Sequence, residues 1–320
     1  MYSTVFIWQS IKLIFLFICL AFATSSCEAP VTIDIPTGTE KIVVEGYIEQ
    51  DAPPLVILTK SAAYFEDVSL SSIQRSFVNG AVVKISDGTN TITLQEVASD
   101  TLPLDIKNAI GSNFNINFKV LDSLGFTFYF YTSIQPTAFG KLNTAYHLSI
   151  QYQEQMITAT TTIPALNMLD SVWTVPDTKN DSLHLLFVRY TDNPDERNFV
   201  RYFTKRNSEP FFAGYFNSVF DDRGLFNVEG KTFDFSLERG YDRTQNIDLD
   251  TYAYFRRGDT IRLRWCAIDE IHHAFWRTLE FDRNNQGNPF GASTRIQSNI
   301  KGGLGIWGGY AATYKTIIIP

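Results

Sequence analysis

The chain has 320 residues, 44% of them hydrophobic and 14% aromatic, enough to fill the cores of two ordinary domains. Its net charge of −7 comes from dispersed acidic residues, a distribution that argues against nucleic acid as a partner. Three cysteines are too few for a disulfide scaffold, so apolar burial must hold the fold together.

The first 26 residues differ from the rest. Lys12 precedes an unbroken apolar run, Leu13 to Ala23 (LIFLFICLAFA). A bilayer-spanning helix needs about 20 apolar residues, so the run is too short to cross, but it suits the hydrophobic region of a signal peptide. Small residues follow (Ala23, Thr24, Ser25, Ser26), and then Cys27. This arrangement resembles the bacterial lipobox, in which the cysteine is acylated and becomes the new N-terminus. Residues 1–26 are therefore the expected signal peptide, Cys27 the expected lipidation site, and the lipid the expected membrane anchor. Cys19 would leave with the leader. Cys266, beside Trp265 in a strand-like segment, reads as a small buried thiol.

From Val31 onward short alternating segments are separated by turn residues. Ala81, Val83 and Ile85 alternate with Val82, Lys84 and Ser86, Asp87-Gly88 turns the chain, and Ile92 and Leu94 continue on one face as a β-hairpin. Tyr146, Leu148, Ile150 and Tyr152 give the clearest period-two strand, followed by Met156 to Thr162. Further strands are expected at Leu183–Tyr190, Phe199–Thr204, Thr232–Leu237 and Ile261–Trp265. One helix is expected over 269–286: Asp269 caps it, Ile271, Phe275 and Leu279 form its apolar stripe, and Gly287 closes it. A Gly-rich turn and a last strand near Tyr314–Ile319 end the chain. The expected fold class is mainly β. An antiparallel β-sandwich over 27–165 precedes a second β domain, sandwich or barrel, over 166–320, with the one helix packed on it.

The sequence resembles the Bacteroidota outer-membrane lipoprotein family catalogued as domain of unknown function 4249. The likeness runs from Ser26-Cys27-Glu28 through Ile42-Val43-Val44-Glu45-Gly46-Tyr47-Ile48, Asn79-Gly80-Ala81-Val82-Val83 and Asn193-Pro194-Asp195-Glu196-Arg197-Asn198-Phe199. Its most specific stretch is Ser298-Asn299-Ile300-Lys301-Gly302-Gly303-Leu304-Gly305-Ile306-Trp307-Gly308-Gly309-Tyr310. The N-terminal half is also similar in pattern to immunoglobulin or transthyretin-like sandwiches. The family resemblance implies lipid anchoring at the outer membrane, on either face, and an accessory role in nutrient capture beside a TonB-dependent receptor. It supplies no catalytic residues.

Motifs that could carry chemistry are few. Gly303-Leu304-Gly305-Ile306-Trp307-Gly308 fits G-x-G-x-x-G, but no helix follows it, so a tight turn is the better reading. His272 and His273 point about 100° apart on a helix and do not converge on a metal; they read as surface or half-buried residues. His147 and His184 read as packing or solvent-facing strand residues. Two acidic loops, Asp221-Asp222 and Asp192, Asp195, Glu196, have carboxylates of the kind that bind calcium but no EF-hand spacing. Neither a cofactor nor a catalytic residue is expected. The aromatic run Phe211, Phe212, Tyr215, Phe216 and Phe220, interrupted by Gly214, does not alternate cleanly; with Trp307 it forms the candidate interface set. A non-enzymatic binding or accessory lipoprotein is the leading expectation. The alternatives are a structural or adhesive surface protein and a hydrolase sited in the C-terminal β domain.

Overall fold

The computed structural model describes residues 40–61, 69–104, 107, 118–225, 230–242, 245–285, 288 and 294–320. Cys27 and the expected signal peptide lie outside them.

Alternation of apolar and polar residues produces strands where it is cleanest. In chain order they are β1 (Ile42–Glu49), β2 (Leu55–Lys60), β3 (Val82–Ser86), β4 (Thr91–Thr93), β5 (Gln95–Ala98) and β6 (Tyr129–Thr132). The pair β7 (Thr144–Tyr152) and β8 (Gln155–Ile163) follows, then β9 (Ser171–Pro176), β10 (Leu183–Thr191) and β11 (Phe199–Arg206). After the short β12 (Phe212–Ala213) and β13 (Val219–Asp221) come β14 (Thr232–Leu237), β15 (Phe255–Arg256), β16 (Thr260–Ile268) and β17 (Leu304–Ile318). The helices are α1 (Leu70–Ser76), α2 (Phe118–Ser123), α3 (Asp222–Leu225) and the long α4 (Glu270–Asn284). The hairpin expected at Asp87-Gly88 joins β3 to β4: the Asp87 carboxylate accepts from the Thr89 and Asn90 amides, and Gly88 takes a φ of 87°.

The largest sheet runs in the order β12-β11-β16-β17-β1-β2-β6-β5, with β13 beside β11. A second sheet has the order β4-β3-β7-β8, and in a third β10 pairs with β9, β14 and β15. None closes into a barrel among the described residues. The expected boundary between 165 and 166 falls between β8 and β9. The largest sheet draws β1, β2, β5 and β6 from one side of it and β11 to β13, β16 and β17 from the other. Residues from Thr39 to the end form one compact unit.

β17 joins the two segments. Its first half pairs in parallel with β1, from Val43 opposite Leu304 to Glu49 opposite Tyr310. Its second half pairs antiparallel with β16. Period two then decides what each side chain meets. Odd-numbered Trp307 and Ala311 enter a core with Val83, Ile85, Leu148, Ile150 and Ile157 of the second sheet. Odd-numbered Ile317 packs into the core formed with Leu186, Val188 and Leu237 of the third sheet. Even-numbered Ile306, Tyr310 and Ala312 meet Phe275 and Trp276 of α4 on the opposite face. The two small sheets thus cover one face of the large sheet, and the helix covers part of the other.

This arrangement revises the expected Gly-rich turn, most of which is strand. β17 passes between α4 and β8, and its glycines keep it thin. A Cβ at Gly308 would overlap the His272 ring, and one at Gly309 would lie 2.6 Å from the Thr162 carbonyl oxygen. The helix starts where expected but ends at Asn284 with Asn285 as its C-cap, short of the expected 286; Gly287, expected to close it, lies outside the described residues. The Asp269 carboxylate accepts from the His272 amide at 2.8 Å as its N-cap, and its other oxygen accepts from Thr161 Oγ1 and the Thr162 amide, both at 2.7 Å. One side chain therefore starts the helix and fixes it to β8.

Candidate functional site

On the face turned away from the small sheets, β1, β17, β16 and β11 present alternate side chains. α4 covers one end, where Phe199, Cys266, Ile268, Ile306 and Tyr310 pack beneath Phe275 and Trp276. Past the helix, cations and rings take over. Arg264 stands opposite Phe203 on one side and Tyr314 on the other, and Arg262 stands opposite Lys205 and Thr316. These registers place two rows of Arg, Lys, Phe and Tyr side by side.

The row nearest the helix is buried. The Arg201 guanidinium lies 3.3 Å from the Trp276 ring centre and 4.7 Å from that of Phe203, and its Nη1 donates to the Tyr310 hydroxyl at 3.0 Å. Arg264, 3% exposed, donates to Glu49 and lies 4.9 Å and 5.0 Å from the Phe203 and Tyr310 ring centres. Tyr314 donates to the same Glu49 carboxylate at 2.7 Å. Desolvated cation-π contacts of this kind are worth about 2 kcal/mol, against about 0.5–1 when exposed. The outer row is open. Exposed Arg262 lies 4.8 Å from the Tyr314 ring centre and 5.8 Å from that of Phe211, and Lys205 lies 5.9 Å from Phe211. Burial, and then the neighbouring Arg262 charge, hold the Lys205 amine below its ordinary pKa. Two like charges are therefore held at directly opposed positions between aromatic rails. An incoming anion would meet both cations, and a planar group could stack on the Tyr314 ring.

Under the helix His272, His273 and Cys266 are held neutral. Burial lowers His272 to about 3 and His273 to about 4, and it pushes the Cys266 thiol up to about 12. Both histidines are buried, at 0% and 6% exposure, rather than at the surface or half-buried as their sequence position suggested. Their rings diverge: His272 faces the Gly309 carbonyl and Tyr310, and His273 faces Phe199. Among the described residues no three His, Cys, Asp or Glu side chains come together to hold a metal.

The candidate interface set does not gather into one patch. Phe211 borders the cation-aromatic face, but at 2% exposure it is a rail, not a contact; Phe212 is also buried. Half-buried Phe220 stacks on Tyr202 and Trp265. Tyr215 and Phe216 form a separate half-exposed knot with Tyr252, with ring centres 4.9 Å and 5.3 Å apart at its two edge-on contacts. Trp307 is fully buried, not at an interface. Its odd position on β17 points it into the core, Gly46 opposite leaves it room, and its Nε1 donates to the Tyr146 carbonyl at 3.1 Å. Sequence reasoning passed over Arg201, Arg262, Arg264, Lys205, Glu49 and Tyr314. The signal for two of them was present in Ile261-Arg262-Leu263-Arg264-Trp265, where period two puts both arginines on one face.

Comparison with known families closes the description. A family model described as a domain of unknown function (DUF4249) matches residues 28–316. The chain belongs to the DUF4249 family. The DUF4249 match begins one residue past Cys27 and takes in every strand named above except the last two residues of β17, so the cation-aromatic face lies within it. No curated protein and no solved structure matches this DUF4249 chain.

Proposed function

We propose that this protein is a lipid-anchored, non-enzymatic binding component of the bacterial outer membrane, tethered through Cys27 and working beside a TonB-dependent receptor in nutrient capture. The observation that supports the binding role is the row of exposed Arg262 and Tyr314 and half-buried Lys205 beside the buried Phe211 ring, a surface suited to anionic or planar groups. The anchor reading is supported by the apolar run followed by small residues and Cys27. The receptor partnership rests on the family resemblance.

Two experiments test the halves separately. Cys27→Ala should release the protein from the membrane fraction, and an unchanged distribution would end the anchor reading. Affinity purification of the tagged protein from solubilised outer membranes should recover a TonB-dependent receptor, and Arg262→Glu should reduce that recovery. Recovery of the protein alone under every condition would end the receptor reading.

A further inference from the structure

The two acidic loops that stand 30 residues apart in sequence meet in the fold. Asp192, just past β10, and Asp222, at the start of α3, are 5% and 8% exposed. One oxygen of each is satisfied by a backbone amide: Asn198 donates to Asp222 Oδ2 at 2.7 Å, and Gly230 donates to Asp192 Oδ2 at 2.9 Å. The other oxygen of each, Oδ1, is buried and receives no hydrogen bond. The Asp192 and Asp222 carboxyls are near enough to repel each other.

An orphaned carboxylate oxygen in such a site is costly, and two of them together are worse. The charged groups around the pair do not relieve this. Arg197 is committed to Asp221, at 3.1 Å and 2.6 Å, and reaches Glu270 at 3.5 Å. Arg223 donates to the Pro194 carbonyl, Glu196 and Asp221 add negative charge, and Tyr190 is neutral. The pair therefore needs a positive occupant of its own. Calcium takes six to eight oxygens, and among the described residues no three His, Cys, Asp or Glu side chains gather as a metal site. A proton needs only two.

We propose that Asp192 and Asp222 form a proton-binding site, in which one proton shared between their Oδ1 atoms latches the Asp192–Asn198 loop against the neighbouring aromatic cleft. Loss of that proton to solvent leaves two buried carboxylates in repulsion and releases the loop. Burial raises the Asp222 pKa, the Asn198 amide opposes the rise, and the Asp192 carboxyl adds to it. What the latch controls is the cleft itself, a small space of about 20 Å³ lined by Tyr190, Phe220, Phe233, Phe235 and Trp265 together with Asn198 and Asp222. The Arg197–Asp221 ion pair is a second, proton-independent fastening of the same loop.

Hydrogen exchange at the Asn198 and Gly230 amides reads the latch directly, because both donate to the carboxyl pair. In the wild-type protein their protection factors should fall by about tenfold or more as the pH is raised from acid to alkaline, one pKa unit being a factor of ten. Asp222→Asn supplies a permanent N–H to Asp192 and should abolish the step, leaving both amides protected throughout. Arg197→Gln should lower protection at every pH and keep the step. Flat wild-type protection across the range would overturn the proposal, as would a step that persists in Asp222→Asn. Protection raised by calcium in the wild type but not in Asp222→Asn would assign the space to a metal and overturn it too.

Discussion

At Gly308 a hydrogen stands where any other residue would push a carbon into the His272 ring. Gly308→Ala should therefore destabilise the protein by about 2–3 kcal/mol, the usual cost of overpacking a tight core. Urea denaturation measures it, and the double variant Gly308→Ala, His272→Ala should recover part of the loss because the two sites are in contact. His272 makes a second prediction. Its folded pKa is about 3 against an ordinary 6.5, so it stays neutral in the fold while the unfolded chain takes up a proton. Its contribution is intact above about pH 6.5 and is lost as the pH falls toward 3. Stability should decline on acidification through that window, and His272→Gln should flatten the decline. Equal slopes in the two proteins would place the acid sensitivity elsewhere.

At the scale of elements, α4 shows why an apolar stripe is an incomplete guide. Phe275 is buried as the stripe Ile271, Phe275, Leu279 requires, yet the buried face also carries His272, His273 and Glu280. Glu280 is matched by Ser218, whose amide and hydroxyl both donate to it. Such a pairing spans 62 residues, and no local pattern announces it. The N-cap, by contrast, was readable because Asp269 acts on its own helix. Asp269→Ala removes the cap, worth about 1 kcal/mol, and also the ties to Thr161 and Thr162, so a total near 2 kcal/mol is expected. A thermal melt checks this, with a loss no greater than a cap alone counting against the tie to β8.

For the whole molecule the governing element is β17. The strands on either side of it, β1 and β16, come from opposite ends of the sequence and are held in one sheet only through it. Calorimetry should show one cooperative unfolding transition rather than two. Deleting residues 304–320 should abolish the near-ultraviolet circular dichroism of both aromatic cores, since Trp307 lies in one and Ile317 packs against the other. A truncated protein that keeps either core folded would contradict this account.

The sequence by itself determined the local grammar. Val83 with Ile85, and Tyr146 with Leu148 and Ile150, declared their buried faces because period two is a property of neighbouring residues. Asp87-Gly88 declared a turn and Asp269 a helix start for the same reason. Tertiary structure decided whatever depends on what lies across a gap in sequence. The glycines of Gly302 to Gly309 could mean a turn or a thin strand, and only α4 on one side and β8 on the other select the strand. Trp307 could face water or a core until Gly46 was set opposite it. The arginines of β16 became part of a face only beside Phe203, Lys205 and Tyr314, and Asp192 found Asp222 only when the loops closed. Local preferences act over a few residues, whereas burial and charge are settled by whichever distant strand the packed sheet brings alongside.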